Sequence, residues 1–162
     1  MDRATTLADV NLEVTKTLLG NRALSNGKIA IGTTKSKVKT VANIDYCIDG
    51  QIYSLAATDD FFVHTDLTVQ PLLSTKWYAL CVNAAGTGSI IQGPNNLTAN
   101  VTAVTNKAAL PKIPADLCCV GAIKIVTAVA ATYTPATTLN DAANVTTTYY
   151  NLSAVPSAGV PA

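Results

Sequence analysis

Chemistry in this chain would have to be built from a short list of side chains. Its single histidine, His64, stands near Asp59, Asp60 and Asp66, the one local grouping of acid/base or metal-capable residues. An imidazole flanked by carboxylates can relay a proton or share a divalent cation, provided the groups converge. Their spacing fits neither a calcium-binding EF-hand loop nor a zinc motif, so the expectation is a solvated loop joining two strands. A serine or cysteine nucleophile would depend on the same imidazole, because it needs a base within hydrogen-bond reach. The four cysteines, Cys47, Cys81, Cys118 and Cys119, show neither metal-site spacing nor a Cys-x-x-Cys pair. Cys118 and Cys119 are adjacent in a strand-like run and should face opposite ways, which leaves them unable to bond to each other. All four are expected as reduced, small core residues. No enzymatic activity, metal or cofactor is expected.

Other candidates are weaker. Gly86-Thr87-Gly88 has the look of a phosphate cradle, but no Lys-Ser/Thr follows and no helix opens after it, so a hairpin loop is expected. Lys35, Lys37 and Lys39 alternate, and on one strand they would share a face. That strip could dock on an acidic surface, or it could protect an edge strand from wrong pairing. Trp77-Tyr78 could contribute to a sugar platform, although a Trp in a strand is more often core or interface. Asn96, Asn100, Asn144 and Asn151 each begin an Asn-x-Ser/Thr sequon, which in so threonine-rich a chain is expected by chance.

The elements that must carry these residues are mostly strands. At 162 residues the chain suffices for one domain with appended arms, and its charged share is 13%, about half the usual 25%. A surface so poor in charge suits burial against something else. The net charge of +1 supplies no field to recruit nucleic acid or an anionic membrane, and little self-repulsion to keep copies apart. No apolar run reaches the roughly 20 residues that span a bilayer, and no secretory leader is expected from the Met-Asp-Arg-Ala-Thr-Thr start. The one helical signal covers residues 5 to 20, where Leu7, Val10, Val14 and Leu18 recur at spacings of three and four, with Gly20-Asn21 to end it.

From Lys28 onward strand follows strand. Asp49-Gly50 takes the positive dihedrals of a type I′ turn, so Ile44 to Leu55 should fold into a hairpin. The pairs would be Ile44 with Leu55, Tyr46 with Tyr53 and Ile48 with Gln51 on one face, with Asp45–Ser54 and Cys47–Ile52 on the other. Trp77 to Val82 and Ser89 to Gln92 should form a second hairpin around the glycine-rich loop, and Leu97 to Val104 a weaker strand. Pro111 and Pro114 mark a crossover outside any ladder. Cys118 to Val126 reads as a central strand buried on both faces, and Thr146 to Tyr150 as the last strand. The core should come from Val, Ile, Leu and Ala. The expected fold is all-β, a β-sandwich or jelly-roll-like barrel with a short N-terminal helical or extended arm. Residues 1–27 would be the arm, 28–153 the β-body and 154–162 an extended tail.

Several segments together resemble small structural proteins of tailed bacteriophages. They are Ile48-Asp49-Gly50-Gln51-Ile52-Tyr53-Ser54, Ala56-Ala57-Thr58-Asp59-Asp60, Trp77-Tyr78-Ala79-Leu80-Cys81-Val82-Asn83, Leu110-Pro111-Lys112-Ile113-Pro114-Ala115, Val120-Gly121-Ala122-Ile123-Lys124-Ile125 and Tyr133-Thr134-Pro135-Ala136-Thr137-Thr138-Leu139. The resemblance spans roughly residues 44 to 153 and is to capsid decoration (cement) and head-fibre proteins. It implies a homotrimer on the outer capsid surface of a virion, assembled in the bacterial host cytoplasm. Its partner would be the major capsid protein, with no nucleic acid or membrane partner. Leu7, Val10, Val14, Leu18, Lys35, Lys37 and Lys39 are then the candidate capsid or inter-protomer contacts. The alternative is a head-fibre or tail-fibre receptor-binding subunit.

Overall fold

A computed structural model describes residues 20–64, 67–101 and 109–152. The helix expected from residue 5, its stripe Leu7, Val10, Val14 and Leu18, and the tail from 154 lie outside the described residues. Gly20 is described and has a left-handed φ of 55°.

Along the chain the strands are β1 (Arg22–Ala23), β2 (Ile29–Ile31), β3 (Val38–Thr40), β4 (Ile44–Ile48), β5 (Gln51–Leu55), β6 (Ser74–Asn83), β7 (Gly88–Gln92), β8 (Asn96–Leu97), β9 (Leu117–Thr127) and β10 (Val145–Asn151). One helical turn, α1 (Thr98–Val101), follows β8. Every pairing is antiparallel. One sheet runs β1-β4-β5 and the larger runs β10-β9-β6-β7, with β8 added beside the start of β6; β2 and β3 form a separate hairpin. None of the sheets closes into a barrel, and the fold is an all-β, sandwich-like one.

The β4–β5 hairpin has the register that its turn dictates, from Ile44 opposite Leu55 to Ile48 opposite Gln51. Asp49 and Gly50 have φ of 54° and 77°, as a type I′ turn requires. Tyr46 and Tyr53 stack with ring centroids 5.5 Å apart, an aromatic cross-strand pair. β6 and β7 form the second expected hairpin, and β9 lies at the centre of the larger sheet. On β9, Ile123 and Ile125 are buried in the core while Ala122, on the other face, is buried too.

The core differs from expectation in its composition. Its largest enclosed side chains are Tyr46, Tyr78, Tyr133 and Phe62, packed with Ile44, Leu80, Ile123 and Ile125. A buried phenol needs a partner for its hydroxyl, and each of the three has one. Tyr46 Oη donates to the Asn83 carbonyl at 3.0 Å, Tyr78 Oη to Gln70 Oε1 at 3.2 Å, and Tyr133 Oη to Asn140 Oδ1 at 2.7 Å.

Three local expectations change. Leu97 to Val104 is not a strand through its described part: β8 stops at Leu97 and the chain turns into α1, where the Thr98 amide donates to the Leu73 carbonyl at 2.9 Å. The segment 20–27, expected within the arm, belongs to the body, because Ala23 pairs with Tyr46 and is buried in the core. Lys35 and Lys37 lie in the turn between β2 and β3, and only Lys39 is in a strand.

The proline-marked segment 109–116 is free of strands, as expected, and passes alongside the larger sheet. The Asn21 side-chain amide holds it by donating to the Ala115 carbonyl and, at 3.3 Å, to that of Leu117. Gly93 lies so close to this strap that a Cβ there would stand 2.9 Å from the Ala109 carbonyl oxygen.

Candidate functional site

The histidine–aspartate grouping does not survive folding. An antiparallel bridge between Val38 and Phe62 anchors the segment after β5. Phe62 and His64, two residues apart in extended chain, therefore turn the same way, into the core. His64 is 1% exposed, not part of a solvated loop. Its ring meets Tyr78 and Tyr133 edge-on, at centroid distances of 5.7 and 5.9 Å. Its Nε2 lies 3.5 Å from Tyr133 Oη, and its Nδ1 has no hydrogen-bond partner. Burial holds the imidazole neutral by pushing its pKa down to about 4.

The two described carboxylates face elsewhere. Asp59 accepts from the Thr33 amide at 3.1 Å, and Asp60 accepts from the Thr34 amide at 3.0 Å and from its hydroxyl. Both fasten the β2–β3 turn. The hydrogen bonds from Thr33 hold the Asp59 carboxyl below its usual range, with Lys39 adding to the effect. Asp66 lies outside the described residues, among which no three His, Cys, Asp or Glu side chains are placed to hold a metal ion.

His64 instead belongs to an enclosed polar network that the sequence reading missed. Asn140 accepts from Tyr133 and donates through Nδ2 to the Lys37 carbonyl at 3.2 Å. Gln70 accepts from Tyr78, and its Nε2 reaches the carbonyls of Ser74 and Ile125 at 3.1 and 3.0 Å. Lys76 is 1% exposed. Its Nζ donates to Gln92 Oε1 at 2.7 Å and Thr68 Oγ1 at 3.0 Å, and sits 5.5 Å from the centroid of the Tyr78 ring. Desolvation pushes the Lys76 pKa down. The available signal was parity: Lys76 and Tyr78 alternate with Trp77 in β6 and share its inward face. Apart from His64 Nδ1, the members of this network satisfy one another, and they tie the larger sheet and its loops together and to the β2–β3 turn.

All four cysteines are free. Cys118 and Cys119 face opposite ways, as expected: Cys118 is enclosed in the core, and Cys119 is half-buried. Cys119 lines a cleft of about 430 Å³ with Asn21, Asp49, Ile113, Pro114 and Leu117. Across the ladder Cys119 stands opposite Cys81, at a register shift between Leu80 and Cys81. Interaction with the neighbouring Cys81 thiol lowers the pKa of Cys119 and raises that of Cys81, while the Cys119 thiol itself donates to the Gly121 carbonyl at 3.3 Å. No local motif announces this pair, because the two residues meet only through non-local pairing.

The lysine strip is not formed. Lys35 Nζ lies 2.5 Å from Asp141 Oδ2, and Lys37 Nζ 3.7 Å from Asp60 Oδ2, so two of the three charges are drawn to separate acids. Gly86-Thr87-Gly88 is a hairpin loop: Asn83 Oδ1 accepts the amides of Ala85 and Thr87 at 3.0 and 2.9 Å, leaving those donors engaged within the turn. Trp77 lies against Tyr150 with centroids 4.9 Å apart and planes tilted by 47°.

One end of the sandwich is apolar and exposed. Leu72 (46% exposed), Leu73 (43%), Leu97 (59%) and Val129 (71%) come from three separate segments. They are brought together by the pairing of Ser74 with Leu97 and by the Leu73 amide, which donates to the Ala128 carbonyl at 3.4 Å. The contributing segments 67–75, 93–101 and 125–140 contain no charged residue. No protein-family model matches the chain, and neither does any curated protein or solved structure.

Proposed function

We propose that the chain is a structural protein of a tailed-bacteriophage particle, a decoration (cement) protein that binds the major capsid protein on the outer capsid surface and stabilises the head. The observation that supports this most is the uncharged apolar end formed by Leu72, Leu73, Leu97 and Val129. Depletion of charge around exposed aliphatic side chains is the character of the desolvated centre of an interface, and it has a solubility cost in a free protein. A body braced by an internal polar network can transmit load between the subunits it touches. Repetition over many copies would multiply a modest contact area into strong retention. In this reading the protein is a homotrimer, and the stripe Leu7, Val10, Val14 and Leu18 reaches across to a neighbouring subunit.

The test is to prepare heads without the protein and add it back. Bare heads should rupture at lower temperature or on milder osmotic shock, and added protein should restore them. Unchanged head stability, with or without the protein, would defeat the reading. The Trp77–Tyr150 pair favours a second reading, a fibre subunit whose aromatic face binds a host sugar. Loss of adsorption to host cells with stable heads would select it.

A further inference from the structure

We propose that Cys81 and Cys119 form a thiol–disulfide exchange site, at which a small disulfide of the glutathione type is consumed and a cross-strand disulfide is left between β6 and β9. Geometry carries this in two ways. Cys81 stands directly opposite Cys119 in an antiparallel ladder, which brings their Cα atoms within the range a disulfide spans. Access is also one-sided. Cys119 opens on the 430 Å³ cleft, whereas Cys81, Cys47 and Cys118 are fully buried. Interaction with the Cys81 thiol lowers the pKa of Cys119 and so favours the thiolate on the sulfur that a reagent can reach.

The steps balance. Cys119 gives up its proton and the thiolate attacks one sulfur of the incoming disulfide; that S–S bond breaks, a mixed disulfide forms on Cys119, and one small thiolate leaves and is protonated in turn. Cys81 then loses its proton and attacks the Cys119 sulfur. The second small thiolate departs and takes up that proton. Two electrons pass from the cysteine pair to the reagent, which ends as two thiols. The product links the two middle strands of the larger sheet where the register shift interrupts their ladder. This site is independent of the proposed role on the capsid.

The full-length folded protein should be incubated with oxidised glutathione, then unfolded, alkylated and mapped by peptide mass. The expected product lacks two hydrogens, joins Cys81 to Cys119, and leaves Cys47 and Cys118 alkylated. Cys81→Ser should stop at the mixed disulfide, with one glutathione retained on Cys119. Four alkylated cysteines in the wild-type protein, a Cys47–Cys118 link, or a Cys81→Ser variant that gains no glutathione would each overturn the proposal. The wild-type map decides even if the variant folds poorly.

Discussion

Lys76 donates to the Gln92 side-chain oxygen at 2.7 Å inside the sandwich, a buried ammonium held by neutral acceptors and by the Tyr78 ring among the described residues. A cation so placed depends on its acceptors more than the fold depends on the cation. Gln92→Leu should therefore destabilise the protein by about 2–4 kcal/mol, since it strips a partner from a desolvated charge. Lys76→Met, which removes the charge and keeps the chain length, should stay within about 1 kcal/mol of the wild type. Urea unfolding of the two variants gives the comparison, and equal losses would contradict this account of the site.

Acid should weaken the fold through His64. The buried imidazole takes up its proton only near pH 4, whereas the unfolded chain does so near 6.5. Between these values the unfolded state binds the extra proton, so stability falls as pH drops through this window and levels off below it. The loss is about 3 kcal/mol. Asp59 adds to the decline only below its ordinary value of 3.8, because its folded pKa is lowered. His64→Phe should flatten the profile between pH 6.5 and 4, as read by urea midpoints across that range.

The strap beside the larger sheet should be sensitive at Gly93. A Cβ there would stand 2.9 Å from the Ala109 carbonyl oxygen and 3.1 Å from that of Trp77, both backbone atoms with little freedom to retreat. Gly93→Ala is expected to cost about 1–3 kcal/mol by overpacking. Hydrogen exchange should show faster exchange at the Gly93 amide, which donates to the Trp77 carbonyl at 2.7 Å. Unchanged exchange and stability would mean that the strap is not packed there.

The apolar end separates stability from function. Leu97→Asp combined with Val129→Asp alters two exposed side chains, so unfolding should shift by no more than about 0.5 kcal/mol each. Rebinding to bare heads, measured by co-sedimentation, should fall at least tenfold. Full binding by the double variant would remove this end from the interface.

Signals confined to neighbouring residues were legible in the sequence. Asp49-Gly50 determined a turn, the turn determined the whole β4–β5 register, and the nearly continuous apolar run Cys118 to Val126 marked β9 as an inner strand. The all-β class followed from such runs, because alternation and turn chemistry act over a few residues. Only the tertiary structure decided where the chemically interesting side chains went. The Val38–Phe62 bridge turned His64 inward and away from Asp59 and Asp60, Asp141 drew Lys35 away from any strip, and β9 delivered Cys119 to Cys81. Leu72, Leu97 and Val129 likewise became one surface only when three distant segments met. Each outcome depends on contacts between residues far apart in sequence, and local periodicity encodes which face a residue takes but not which partner that face will meet.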